Sequence, residues 1–242
     1  MKIFNDKFYE NPNNNAFLNW RTDAPEFSAF YELGAGFLSS SIITLQAVIR
    51  DCNESDEADN LIFPIMFNLW HGIELMLKSG IILIRDIYKR VNMNDLKSHK
   101  IDELYIKFEN ELNLTKLTKP QKDLISLKEL LDEFKTEDVN FDAFRYPSDN
   151  KWQGQFYNKK INCENKCICL TDLQIKCLEI IETLPRVIKY FDDTIISDGN
   201  DVSYISDATY EFYTKDDLFK ETDYDKDDDP TELLLKALRY IM

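Results

Sequence analysis

Glycine, histidine and paired cysteines are what this 242-residue chain has least of, and each shortage removes a class of chemistry. Six glycines supply no phosphate-cradling loop: neither G-x-x-x-x-G-K-[ST] nor G-x-G-x-x-G occurs. G-x-S-x-G, H-E-x-x-H and C-x-x-C are missing as well, which excludes the common hydrolase, metalloprotease and thioredoxin signatures. The two histidines are His71 and His99, and any His-dependent mechanism must use one of them. Five cysteines is an odd count. Four of them, Cys163, Cys167, Cys169 and Cys177, fall at C-x3-C-x-C-x7-C, without the paired C-x2-C knuckles of a zinc site and far from either histidine. Reduced thiols in a cytoplasmic protein are the expectation, with no metal and no cofactor.

A secretory leader is not expected either, since Lys2, Asp6 and Lys7 interrupt the first apolar residues. Leu61 to Ile84 is long enough to span a bilayer, but Asn68, His71, Glu74 and Lys78 lie across its middle, where charge is costly in lipid. It reads as a core helix, and no membrane partner is expected. No Gly/Ser/Pro-rich linker divides the chain and no internal period recurs, so one domain is favoured. What is present, 44% hydrophobic and 30% charged residues, is the composition of a folded globular protein.

Basic runs are lacking, and the formal charge of −15 is unevenly spread. Between Asp192 and Asp229, 14 acidic residues face three lysines, a local −11 that leaves only −4 for the remainder. That tract reads either as a solvated surface segment or as an arm for a basic protein partner. Without a basic patch visible as a run, binding of duplex nucleic acid mainly through phosphates is not indicated.

Helical periodicity organises the chain. After a polar, Asn-rich arm over 1–24, apolar residues from Phe27 to Ile49 recur at three- and four-residue steps behind Pro25. A second helix is expected over 59–91, apolar nearly all round as far as Arg85, then a third over 98–112 and a fourth over 119–134. The period lapses between Thr136 and Leu170, where a short hairpin across Asn158 to Lys160 is expected. Helix resumes at the capping-box sequence Thr171-Asp-Leu-Gln174 and runs to about 191 by its periodicity. The resulting organisation is an arm over 1–24, a helical domain over 25–191 with a loop and hairpin insertion at 139–170, and an acidic extension over 192–242 ending in a short helix from Pro230.

Chemistry concentrates on the second helix. His71, Glu74 and Lys78 stand at i, i+3 and i+7 and so share a face, with Asn68 one turn back. Burying them is unfavourable unless another segment supplies partners. Arg145, in the irregular Phe144-Arg-Tyr-Pro147 segment, is the expected partner for Glu74, with Tyr146 beside it. Two readings stand open: a structural polar network, or a pocket in which His71 is an acid/base and Arg145 or Lys78 stabilises an anion. For His99, just before the third helix, capping or packing is the plainer expectation.

Trp70-His-Gly-Ile-Glu-Leu-Met-Leu-Lys78 followed by His99-Lys-Ile-Asp-Glu-Leu104 resembles the E-x3-K and H-x-L-x2-L pair of the HEPN superfamily (higher eukaryotes and prokaryotes nucleotide-binding), with Ile101 where Leu is usual. Phe144 to Pro147 is similar to a segment of a divergent branch of that superfamily. The resemblance covers about 25–190 and implies an antiparallel bundle of about five long helices, frequently dimeric. It also implies binding or metal-independent cleavage of RNA or nucleotides in bacterial defence or toxin–antitoxin systems. Glu74, Lys78, His99 and Leu104 are the residues it carries over. The family's R-x4-6-H motif is absent, since eight residues separate Arg90 from His99. The residues to follow into the structure are therefore His71, Glu74, Lys78, His99 and Arg145 as candidate catalytic groups, and Asn68 and Tyr146 as candidate substrate contacts. A non-catalytic interaction protein, its polar cluster structural and its acidic tract holding a basic partner, is the alternative.

Overall fold

The computed structural model describes residues 25–51, 57–90, 92–115, 124–136, 144 and 167–197. The arm over 1–24, most of the hairpin, Arg145, Tyr146, nearly all of the acidic extension and the closing helix lie outside the described residues. The apolar periodicity resolves into α1 (Glu26–Asp51), α2 (Glu57–Ile87), α3 (Ile101–Leu114), α4 (Ile125–Thr136) and α5 (Leu170–Ser197), with a 3-10 turn at Asn94–Lys97 ahead of α3. There is no strand among the described residues, and the protein is mainly α. At Cys167 to Cys169, the end of the expected hairpin, the chain is irregular, and Leu170 already belongs to α5. The capping box expected at Thr171 lies inside the first turn, because the Cys169 carbonyl accepts from the Leu173 amide at 3.0 Å. Downstream, α5 continues to Ser197, six residues into the acidic tract, and buries Asp192, the first of them.

Helix α2 is the spine, packed on α1, α3 and α5, while α4 lies on α5. From Ile65 to Arg85 every residue except Phe67, Asn68 and His71 is buried, as expected of a helix apolar nearly all round. Pro64 removes one helical donor, which frees the carbonyl of Asn60; both residues are exposed, so water can satisfy it.

Side-chain contacts give the helix directions. Ser79 Oγ donates to the Phe27 carbonyl at 2.8 Å and Ser41 Oγ to the Ile65 carbonyl at 2.9 Å, so α1 and α2 are antiparallel. Helix α3 is different. Phe108 packs on Gly80, and Glu111, three residues further along α3, accepts from Arg85, five residues further along α2, so α3 runs in the same direction as α2. Parallel neighbours need a connection that returns along the first helix, and residues 88–100 supply it.

That return begins where α2 stops, four residues before the sequence expectation of Val91. The Arg90 amide donates to the Arg85 carbonyl at 2.7 Å and the Lys89 amide to the Asp86 carbonyl at 3.0 Å, the paired closure of a Schellman turn. Lys89 occupies the left-handed position (φ 52°) where glycine is usual. No Gly or Pro announces this stop.

Close approach of α1 and α2 depends on Gly72. A methyl there would lie 2.7 Å from Leu38 Cγ and 2.9 Å from the Leu38 backbone nitrogen, which cannot yield without moving α1. Gly36, exposed on α1, has open space around it. The same substitution is therefore expected to act in opposite directions. Gly36→Ala gains about 0.5–1 kcal/mol from reduced chain entropy. Gly72→Ala loses a net amount despite that gain, since overpacking costs about 1–3 kcal/mol. Thermal melting of the two variants checks the pair, and equal shifts would contradict the packing described.

Candidate functional site

Helical spacing places His71, Glu74 and Lys78 on one stripe of α2, and the return connection lays His99 over it. Glu74 is the centre and is 1% exposed. Its Oε1 accepts from Lys78 Nζ at 2.8 Å and lies 2.9 Å from His99 Nδ1, while Oε2 is 3.8 Å from His71 Nδ1. Burial opposes ionisation of Glu74, but hydrogen bonds from Lys78 and His99, reinforced by the charge of Lys78, outweigh it and hold the carboxyl below its ordinary value. An ionised carboxylate only accepts, so His99 Nδ1 carries the proton and donates.

The two histidines have different surroundings. The His99 side chain is 66% exposed, and with Nδ1 committed to Glu74 its Nε2 is the nitrogen available to a ligand. His71, 26% exposed, lies against Phe37 with ring centroids 4.5 Å apart and is stacked on Phe67 at 5.7 Å. A neutral imidazole oriented by a buried carboxylate through one nitrogen and open at the other is the arrangement of a general base with its orienting group.

Four of the sequence candidates thus meet at one carboxylate. His99 neither caps α3 nor packs in the core: Lys100 precedes the helix as its N-cap, without a side-chain cap bond. Ser98 Oγ accepts from the Lys100 amide at 3.2 Å and donates to Glu103 at 3.1 Å, and this organises the start of α3 beside the imidazole. Asn68 does not join the cluster, because its Nδ2 donates to Ser40 Oγ on α1 at 3.1 Å. Arg145 and Tyr146 lie outside the described residues. Their neighbour Phe144 is buried and meets Phe63 of α2, with ring centroids 6.4 Å apart.

The cysteines do not assemble. Cys177 is fully buried in the core, where desolvation pushes its thiol up to about 12, whereas Cys167 and Cys169 are exposed; Cys163 is outside the described residues. Among the described residues no group of three His, Cys, Asp or Glu side chains is placed to hold a metal ion.

A second polar constellation escaped the sequence reading. Arg85 Nε donates to Glu111 at 2.7 Å, and its two terminal nitrogens grip both oxygens of Asp95 at 2.7 and 2.9 Å. The same guanidinium donates to the Asn92 carbonyl, Lys107 Nζ donates to the Asp95 carbonyl, and Arg90 pairs with Glu111 at 2.8 Å. The Asp95 hydrogen bonds, aided by those to Glu111, raise the Arg85 pKa against the opposing effect of burial. A sequence signal existed: Arg85 follows Lys78 by the seven residues that separate Lys78 from His71, and so continues the stripe.

No family model, curated protein or solved structure matches this chain.

Proposed function

We propose that this protein is an HEPN-like helical protein, acting as a homodimer in a bacterial defence or toxin–antitoxin setting, that binds RNA and cleaves it without a metal. The observation that carries the reading is His99 Nδ1 seated on the buried Glu74–Lys78 pair at 2.9 Å with the rest of the ring exposed. Three of the four residues carried over from the family resemblance are thereby one constellation. The five helices among the described residues and the antiparallel α1–α2 pair suit the bundle that the resemblance implies, while α3, parallel to α2, departs from a wholly antiparallel one.

In this reading His99 Nε2 accepts the proton of a ribose 2′-hydroxyl whose oxygen attacks the adjacent phosphorus. The 5′-oxygen departs with a proton from His71, the imidazole across the Glu74 carboxylate. Glu74 keeps His99 in the productive tautomer, and Lys78 lets that carboxylate stay ionised in the core. The exposed Lys97 lies two residues before His99 and brings positive charge near it, whereas the Lys100 ammonium is paired with Glu103 at 2.7 Å.

Cleavage of varied single-stranded RNAs in EDTA tests the reading. His99→Ala is expected to lower the rate by about 10²–10⁴, the usual contribution of a general acid or base. Because the ring is mostly exposed, its melting temperature should stay close to wild type. Wild type that binds RNA with steep salt dependence but does not cut it would reduce the function to binding. Neither activity would leave the cluster structural and direct attention to a basic protein partner for the acidic tract.

A further inference from the structure

Arg85 takes no part in the chemistry just described, yet it is buried at considerable cost. It lies on the same stripe of α2 as Glu74 and Lys78, and each of its nitrogens donates to the return connection or to α3. A guanidinium grips a carboxylate with two parallel bonds in a fixed plane, which sets direction as well as distance. Its partners are Asp95, four residues before His99, and Glu111, near the end of α3. The clamp therefore holds the segment that delivers the imidazole.

Chain length makes this holding consequential. Glu74 and Arg85 are eleven residues apart on α2, about 16 Å along the axis at the helical rise. The four residues from Asp95 to His99 span at most about 14 Å when fully extended. Asp95 to Lys97 lie in the 3-10 turn and only Ser98 is extended (φ −64°, ψ 143°), so with Asp95 fixed at Arg85 a short, structured path delivers His99 to Glu74. Were the Asp95 carboxylate released, His99 would keep its local tie through Ser98 and Glu103, but the connection would lose its two-point grip on α2 and rest on the Asn92 and Asp95 carbonyl bonds and the buried Leu96.

We infer that Arg85 is a positioning residue for His99: through Asp95 it fixes the return connection so that Nδ1 rests on Glu74. The consequence for catalysis rests on the function proposed above, but the positioning itself does not. The test reads the imidazole directly. Long-range 1H–15N NMR of wild type above the His99 titration should show the Nδ1–H tautomer that donation to Glu74 demands. Arg85→Lys retains the charge without the bidentate fork, and Asp95→Asn removes the paired carboxylate while leaving Arg85 its bond to Glu111. Both are expected to move the tautomer ratio about tenfold toward Nε2–H, in line with loss of one charge-assisted hydrogen bond. RNA cleavage, where wild type shows it, should fall in kcat more than it rises in KM.

If both variants fold and the His99 signals are unchanged, Arg85 is a strut and the inference is overturned. Should Arg85→Lys fail to fold, Asp95→Asn decides alone, since that side chain is 36% exposed and its loss leaves the core intact. A wild type that cuts no RNA while the tautomer shift occurs removes the ribonuclease reading and leaves the positioning role established.

Discussion

Glu74→Ala is expected to destabilise the protein by about 3–5 kcal/mol, because it strands the Lys78 ammonium in the core. The expectation is specific to breaking the pair. Glu74→Leu combined with Lys78→Met removes both charges and keeps the volume, so it should recover most of the loss. His99, largely exposed, can turn to water when its acceptor goes. A double variant as unstable as the summed single variants would refute this account of the pair.

The same carboxylate sets an acid limit. Its folded pKa is lowered from the ordinary 4.5, so its stabilisation is fully present above the unfolded value and is lost as pH falls through the folded one. Glu74→Gln, which is nearly isosteric and does not ionise, should therefore differ most from wild type near neutral pH. The gap should narrow as pH falls below the ordinary carboxylate value of 4.5 and through the lower folded one, as wild type protonates. Urea unfolding of both proteins across that range gives the comparison, and a gap independent of pH would mean that ionisation of Glu74 contributes nothing. Asp95 is also held low by Arg85, which is why the difference between the two proteins, and not the acid stability of wild type, is the quantity to read.

The second large effect is at the junction of α2, α3 and α5. Phe108 is fully buried against Gly80, where a methyl would lie 2.6 Å from its Cε2, 3.0 Å from its Cζ and 3.3 Å from Ile188 Cγ1. Phe108→Ala should cost about 3–5 kcal/mol through lost burial and the cavity left behind. Gly80→Ala alone should cost about 1–3 kcal/mol, since the ring has no room to retreat. Combined, the two should be better than additive by about 1–3 kcal/mol, because each relieves the defect of the other. Denaturant melts of the four proteins close the cycle. Strict additivity would show that the ring does not sit on Gly80, and the parallel packing of α2 and α3 would need revision.

Much of the site was legible because helical spacing is a local property. His71, Glu74 and Lys78 share a face by arithmetic alone, and their need for partners follows from the cost of buried charge. The identity of the partner was not legible. His99, 25 residues along the chain, lies on Glu74 although its plainer expectation is capping or packing, while Arg145, the expected partner, lies outside the described residues. The Arg85 clamp was missed for a related reason: its acids, Asp95 and Glu111, look like ordinary surface charges until α3 is laid parallel to α2. Local rules also gave no warning of Lys89, which ends α2 in a conformation that its residue type disfavours.

What the sequence determined by itself is the helices among the described residues, the apolar face of each and the polar stripe on α2, because those depend on periods of three to four residues within one segment. What only the tertiary structure decided is direction and meeting: that α3 returns to run beside α2, that His99 rather than a capping role comes of it, and that Arg85 binds the return. These depend on contacts between segments far apart in the chain, where the gain from pairing a buried charge selects one path among many that satisfy the local pattern equally.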